Sequence, residues 1–124
     1  MSFIKERIAS FGYAFEGIFE VIQSQPNFKI HFLAAFLAIF AGFYFKISTN
    51  EWYWIISSIT LVFGAETFNT AIEHLTNLVS PDYHILAKKT KDAAAGGVLF
   101  IAFGAAIIGI LIFLPKILAL PLFQ

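Results

Sequence analysis

Glu66, Asn69 and Glu73 fall at i, i+3 and i+7, a spacing that puts three oxygen-bearing side chains on one face of a single helix. Carboxylate and amide oxygens in such a row suit Mg²⁺, a hard cation that takes oxygen ligands. Further along, Ala87-Lys88-Lys89-Thr90-Lys91-Asp92 supplies ammonium groups that can neutralise phosphates as point charges. Oxygen ligands for a metal beside cations for phosphate suggest phosphoryl transfer. A lysine run also serves as a topology signal against anionic lipid, so Lys91, next to Asp92 and nearest the following apolar run, is the lysine to single out. His31 and His74 lack metal-site spacing, and His84 reads first as a loop or capping histidine. The chain contains no Walker A lysine motif, dinucleotide glycine motif or nucleophile elbow, so any ATP must be bound by another route.

These groups sit in a chain of 124 residues that is 59% hydrophobic, 18% aromatic and only 13% charged. Soluble domains carry about 25% charged residues, and so short a chain cannot hide 16 Phe, 2 Trp and 4 Tyr in a core of its own. Lipid must cover much of the surface. The net charge is zero, with no basic stripe for a phosphate backbone, so nucleic acid is excluded as a partner. The absence of Cys excludes disulfides, thiolate metal sites and Cys nucleophiles. Lys5, Glu6, Arg7, Glu16 and Glu20 interrupt every apolar run at the N-terminus, and no cleaved signal peptide is expected.

The elements that must position the polar groups follow from periodicity. Ile4, Ile8, Phe11, Phe15, Ile18 and Ile22 trace one face of a helix over about residues 3–23. That helix suits the headgroup plane, or a place packed on the rest of the protein. Pro26 ends it. A first span, about 29–47, is free of formal charge from Ile30 to Phe45. The loop Ser48-Thr49-Asn50-Glu51 leads through Trp52-Tyr53-Trp54, an interfacial aromatic cluster, into a second span over about 52–76. The third, about 91–115, is uncharged from Ala93 to Leu114 and ends at Pro115-Lys116. Its glycines, Gly96, Gly97, Gly104 and Gly109, permit close helix packing. The expected fold is therefore all-α and integral to a membrane, one domain over residues 1–124 with an amphipathic surface helix and three transmembrane helices. Lys5, Arg7, Lys29, Lys88, Lys89 and Lys91 fall on one side and only Lys46 and Lys116 on the other, so the N-terminus and second loop are expected in the cytoplasm.

With Trp52 at one interface and a rise of about 1.5 Å per residue, Glu66 lies roughly 21 Å deep and Glu73 roughly 32 Å, near the far edge of a ~30 Å hydrocarbon layer. An ionisable group inside a span costs on the order of 3 kcal/mol even on lenient scales. Either these groups hold neighbouring helices together as structural glue, or they have a function. A proton-coupled carrier or channel subunit would use Glu66 alone; a kinase would also need Lys91 and Asp92.

The stretch Glu66-Thr67-Phe68-Asn69-Thr70-Ala71-Ile72-Glu73, then Tyr83-His84, then Ala87-Lys88-Lys89-Thr90-Lys91-Asp92-Ala93-Ala94-Ala95-Gly96-Gly97-Val98, resembles the prokaryotic diacylglycerol kinase and undecaprenol kinase family. Weaker similarity at Gly12-Tyr13-Ala14-Phe15 and Asn27-Phe28 extends it over nearly the whole chain. The resemblance implies a small integral kinase of the bacterial cytoplasmic membrane, a homotrimer with active sites shared between subunits, using ATP and Mg²⁺ to phosphorylate a lipid alcohol. It further implies Glu66 as general base, Glu73 as metal ligand and Asn69 ordering that centre. Lys91 and Asp92 would meet the nucleotide, with His84 and Tyr13 as lesser members of the ATP site.

Two positions depart from the family pattern. Gln25 stands where a second metal-binding carboxylate is frequent, and Asn77 where an Asp is frequent one turn after Glu73. An amide donates an oxygen to Mg²⁺ but no charge, so Gln25 is a metal candidate of a weaker kind and a lapsed, scaffolding member of the family stays open. The wording Pro81-x-Tyr83-His84-x-Leu86-Ala87-Lys88 leans toward the undecaprenol kinase branch over the diacylglycerol branch.

Overall fold

A computed structural model describes residues 2–121. Four helices follow one another, α1 (Phe3–Ser24), α2 (Pro26–Tyr44), α3 (Thr49–Val79) and α4 (Ile85–Leu118), and the described residues contain no strand. The last three are each long and apolar enough to cross a membrane. The architecture is thus the all-α, three-span arrangement that the hydropathy implied.

The α1–α2 break is set by Pro26, which occupies the first turn of α2, where its missing N–H is no loss. It also biases Gln25 away from helix, and Gln25 is extended, its N–H bonding Val21 O at 3.0 Å. Val21 is the buried residue of α1. Near that end Glu20 Oε1 lies 3.6 Å from His74 Nε2 of α3. Ile4, Ile8, Phe11 and Phe15 remain exposed, so the apolar stripe of α1 does not pack on its own chain.

Between α2 and α3 the chain turns through a Schellman motif. Lys46 N–H bonds Phe43 O and Ile47 N–H bonds Gly42 O, with Lys46 left-handed at φ 50° and Ile47 buried behind it. Ser48 then caps α3. Its hydroxyl accepts from Glu51 N–H at 3.2 Å, and Glu51 Oε2 accepts from Ser48 N–H at 2.8 Å. This capping box moves Thr49-Asn50-Glu51, expected in the loop, into the first helical turn. Glu51 Oε1 also accepts from Lys116 Nζ at 2.5 Å, closing the far end of the α3–α4 hairpin. Pro115, expected to end the third helix, lies inside α4, which runs on to Leu118 at the loss of one backbone bond.

The apolar core, Ile47, Ile55 and Ile112 with Phe45, Trp52 and Phe113 around them, sits at this same end. Lipid tails are as apolar as these side chains, so close packing is what holds it together in a bilayer. The tightest approach is at Gly42, where an added Cβ would lie 2.6 Å from Trp52 Cη2, while Trp52 also packs on Phe43. At Gly96, Gly97, Gly104 and Gly109 an added Cβ would meet nothing within 4 Å, so among the described residues of one chain close helix approach belongs to α2 and not to the third span. Gly42→Val is predicted to destabilise the chain by about 1–3 kcal/mol through overpacking. An unfolding midpoint in detergent equal to that of the parent would disprove the Gly42–Trp52 contact.

Candidate active site

Helix α3 carries the buried polar groups Ser58, Glu66, Asn69, Thr70 and Thr76. The hydroxyls satisfy themselves: Ser58 bonds Trp54 O, Thr70 bonds Glu66 O and Thr76 bonds Ile72 O, each four residues back in the same helix. Glu66 and Asn69 cannot be disposed of this way. They are the buried groups of α3 whose chemistry reaches beyond its backbone.

Glu66 is 2% exposed. Its Oε1 lies 3.0 Å from His31 Nε2 of α2, so a carboxylate on the second span meets an imidazole on the first. Both line a cleft of about 270 Å³ with Asn27, Asn69, Ile30, Val98, Leu99 and Ala102. One wall is apolar and suits a hydrocarbon chain; the other carries the carboxylate, the imidazole and two amides. His31 was not expected here. Spacing compares residues along the chain, and no spacing links residue 31 to residue 66. The available signal was energetic: a charge inside a span needs a partner, and His31 is the imidazole within the first apolar run.

Asn69 Nδ2 donates to Glu73 Oε1 at 3.2 Å, and its Oδ1 is buried without a hydrogen-bond partner among the described residues. An unpaired buried carbonyl costs on the order of 1–3 kcal/mol. Fixed beside a carboxylate, that oxygen is suited to Mg²⁺, which is commonly held by one or two carboxylates together with substrate phosphates and water. No group of three or more His, Cys, Asp or Glu is clustered among the described residues, so the chain offers part of an oxygen shell. The donor set fits the ion on those terms.

The cationic group is at the start of α4. The lysine run, expected in the second loop, is helical from Ile85 onward because His84 caps the helix, Nδ1 accepting from Leu86 N–H at 3.1 Å. Its imidazole is therefore engaged as a cap through Nδ1. Lys88 and Lys91 line a cavity of about 340 Å³ with Asn77, Asp82, Tyr83 and His84. Asp92 pairs with Lys88 one turn back. Lys91 is the lysine of this cavity outside that pair.

The cleft and this cavity share no lining residue, yet they lie along one track. On α3, Glu66, Glu73 and Asn77 recur at helical spacing; on α4, Lys91, Ala95, Val98 and Ala102 do the same. Tyr13 stands 71% exposed on α1 and lines neither opening. Gln25 is half-buried at the α1–α2 junction, and it is Asn27, two residues on, that lines the cleft.

Comparison with known proteins identifies the family. Residues 12–113 match the family described as prokaryotic diacylglycerol kinase. An undecaprenol kinase of Bacillus subtilis (strain 168) is 44% identical over 108 residues, covering 87% of this chain and 88% of the relative. A diacylglycerol kinase of Synechocystis is 36% identical over 91% of this chain and 65% of the relative. The diacylglycerol kinase of Escherichia coli (strain K12) is 29% identical over 74% of this chain and 75% of its own. With helices able to cross a membrane and a match that spans most of its length, the chain belongs to the prokaryotic diacylglycerol kinase family.

Proposed function

We propose that this chain transfers the γ-phosphoryl group of ATP to the hydroxyl of a membrane lipid alcohol, with an undecaprenol-type polyprenol preferred over diacylglycerol. One observation carries the reading: a nearly buried carboxylate opens on a cleft with an apolar wall, on the same track as a lysine-lined cavity at the helix end. ATP can stay in water while its acceptor stays in lipid. The preference for a polyprenol rests on the Pro81–Lys88 wording and on the greater identity to a relative named undecaprenol kinase. The carrier alternative needs neither the lysine cavity nor this kinship and is not favoured.

Glu66 accepts the proton of the lipid hydroxyl as that oxygen attacks the γ-phosphorus. The bond from γ-phosphorus to the β,γ-bridging oxygen breaks, and ADP leaves. Glu73 and the Asn69 side-chain oxygen would hold Mg²⁺, with Gln25 as a neutral donor from the α1–α2 junction. When bound, the ion neutralises charge on the phosphates. Lys91 attracts the phosphates from the cavity, and the Lys88–Asp92 pair orders the helix turn beside it. His84 serves by holding that turn in place, and Tyr13 meets the nucleotide from α1.

The assembly proposed is a homotrimer with active sites shared between subunits. Supporting it, Phe32, Phe36, Phe40 and Phe43 stand exposed along α2, and Asn69 Oδ1 has no partner among the described residues. The basic residues near the start of α1 and at the start of α4 support a cytoplasmic side for both, with the bacterial cytoplasmic membrane as the proposed location and the stripe of α1 in the headgroup plane.

The test is phosphate transfer from γ-labelled ATP by purified protein in mixed micelles, with undecaprenol and diacylglycerol offered separately. Phosphorylated undecaprenol in excess is the expected result. Equal or greater product from diacylglycerol would reverse the substrate preference. No product from either lipid across a wide Mg²⁺ range, with protein shown to be folded, would sink the reading.

A further inference from the structure

The pair between α2 and α3 has a consequence for the reaction itself. A glutamate carboxyl rotates about a broad, nearly two-fold terminal torsion, so burial alone does not fix which oxygen meets a substrate. His31 Nε2 lies 3.0 Å from Glu66 Oε1, an ion-pair distance from one oxygen of the carboxylate, with Oε2 the oxygen that would meet the lipid hydroxyl. Thr70 does not compete, since its hydroxyl bonds the Glu66 backbone carbonyl. The helix that carries the imidazole is anchored. It begins at Pro26, and three residues before His31 the Phe28 ring is 3% exposed and packs against Phe63 of α3 at 4.8 Å.

We infer that His31 is a positioning residue for phosphoryl transfer, holding the Glu66 carboxylate so that its free oxygen accepts the proton of the lipid alcohol. The inference rests on the phosphotransferase reading above. It assigns His31 no contact with substrate and no share in carrying the proton. What it requires is an N–H donor at that point on α2, so a donor of similar reach should substitute for the imidazole. An apolar side chain should not.

The test compares His31→Gln and His31→Leu in the full chain, with turnover measured in mixed micelles. His31→Leu is expected to lower kcat roughly 10- to 100-fold, the scale of losses from misplaced reacting groups. KM for ATP should stay within about 2-fold, because the lysine cavity is untouched. His31→Gln should recover most of the rate. Wild-type kcat in His31→Leu overturns the inference. So does a loss confined to the lipid KM, which would make His31 part of the cleft wall, or equal loss in both variants, which would mean that the imidazole does more than donate.

A second measurement needs no turnover. In ¹⁵N-histidine spectra of the full chain in micelles, the His31 Nε2 resonance should shift when Glu66→Leu removes its partner. An unmoved resonance overturns the pair. Wild-type protein that yields no phosphorylated lipid would instead sink the phosphotransferase reading, and the positioning role with it, even if the resonance moves. Product from the wild type together with an unimpaired His31→Leu sinks the positioning role alone.

Discussion

Glu66→Gln is expected to lower kcat for lipid phosphorylation by about 10²–10⁴, the range that a positioned general base contributes. KM for ATP should stay nearly constant. The amide has the shape of the carboxylate and still offers an oxygen to His31 Nε2, so the contact between α2 and α3 survives the substitution. What is lost is the ability to take a proton, at a site where the side chain is 3% exposed and bulk water is a poor substitute. Removing a buried carboxylate also spares its desolvation cost, so loss of activity should not coincide with loss of fold. Initial rates with saturating lipid, alongside the unfolding midpoint in detergent, check both. A variant that turns over at the parental rate would remove Glu66 from the chemistry and leave it as a link between spans.

How much of this was legible beforehand depended on whether the responsible forces act along the chain or across it. The Glu66-Asn69-Glu73 row was readable because helical geometry fixes which residues share a face, and α3 carries it as expected. The spans were readable because length and apolarity define them. Helix ends were less so. Ser48-Thr49-Asn50-Glu51 looks like a loop by polarity, but Ser with Glu three residues later is also a capping box, and the capped turn is what forms. The lysine run looked like a connection for the same reason, and His84 made it helix. Contacts between helices were the least legible. Gly42 was indistinguishable from any other glycine until Trp52 was seen across from it, and the glycines of the third span, which drew more notice, lie open within one chain. His31 was compared with other histidines, when its partner was a carboxylate on another helix.

The second large effect is expected at Glu73, and it follows from what the surrounding positions lack. Gln25 and Asn69, the donors proposed with Glu73 to hold the metal, are neutral amides. Glu73 thus supplies the negative charge at that level of α3, one turn from the orphaned Asn69 oxygen. Glu73→Gln retains an oxygen to accept from Asn69 Nδ2, so the local hydrogen bond persists and the substitution removes charge with little change of shape. Loss of an outer-shell partner alone weakens metal binding by about 10- to 100-fold, and loss of a direct ligand should cost at least that. The free Mg²⁺ needed for half-maximal rate is therefore predicted to rise by at least about 10-fold at fixed ATP, with part of the lost rate restored at high Mg²⁺. Glu66→Gln should show no such restoration, because no amount of cation replaces a proton acceptor. Rate against free Mg²⁺ for the two variants separates the roles: superimposable curves for Glu73→Gln and wild type would refute Glu73 as a metal ligand. Recovery of Glu66→Gln at high Mg²⁺ would mean that the two carboxylates serve a common metal site and that the base lies elsewhere.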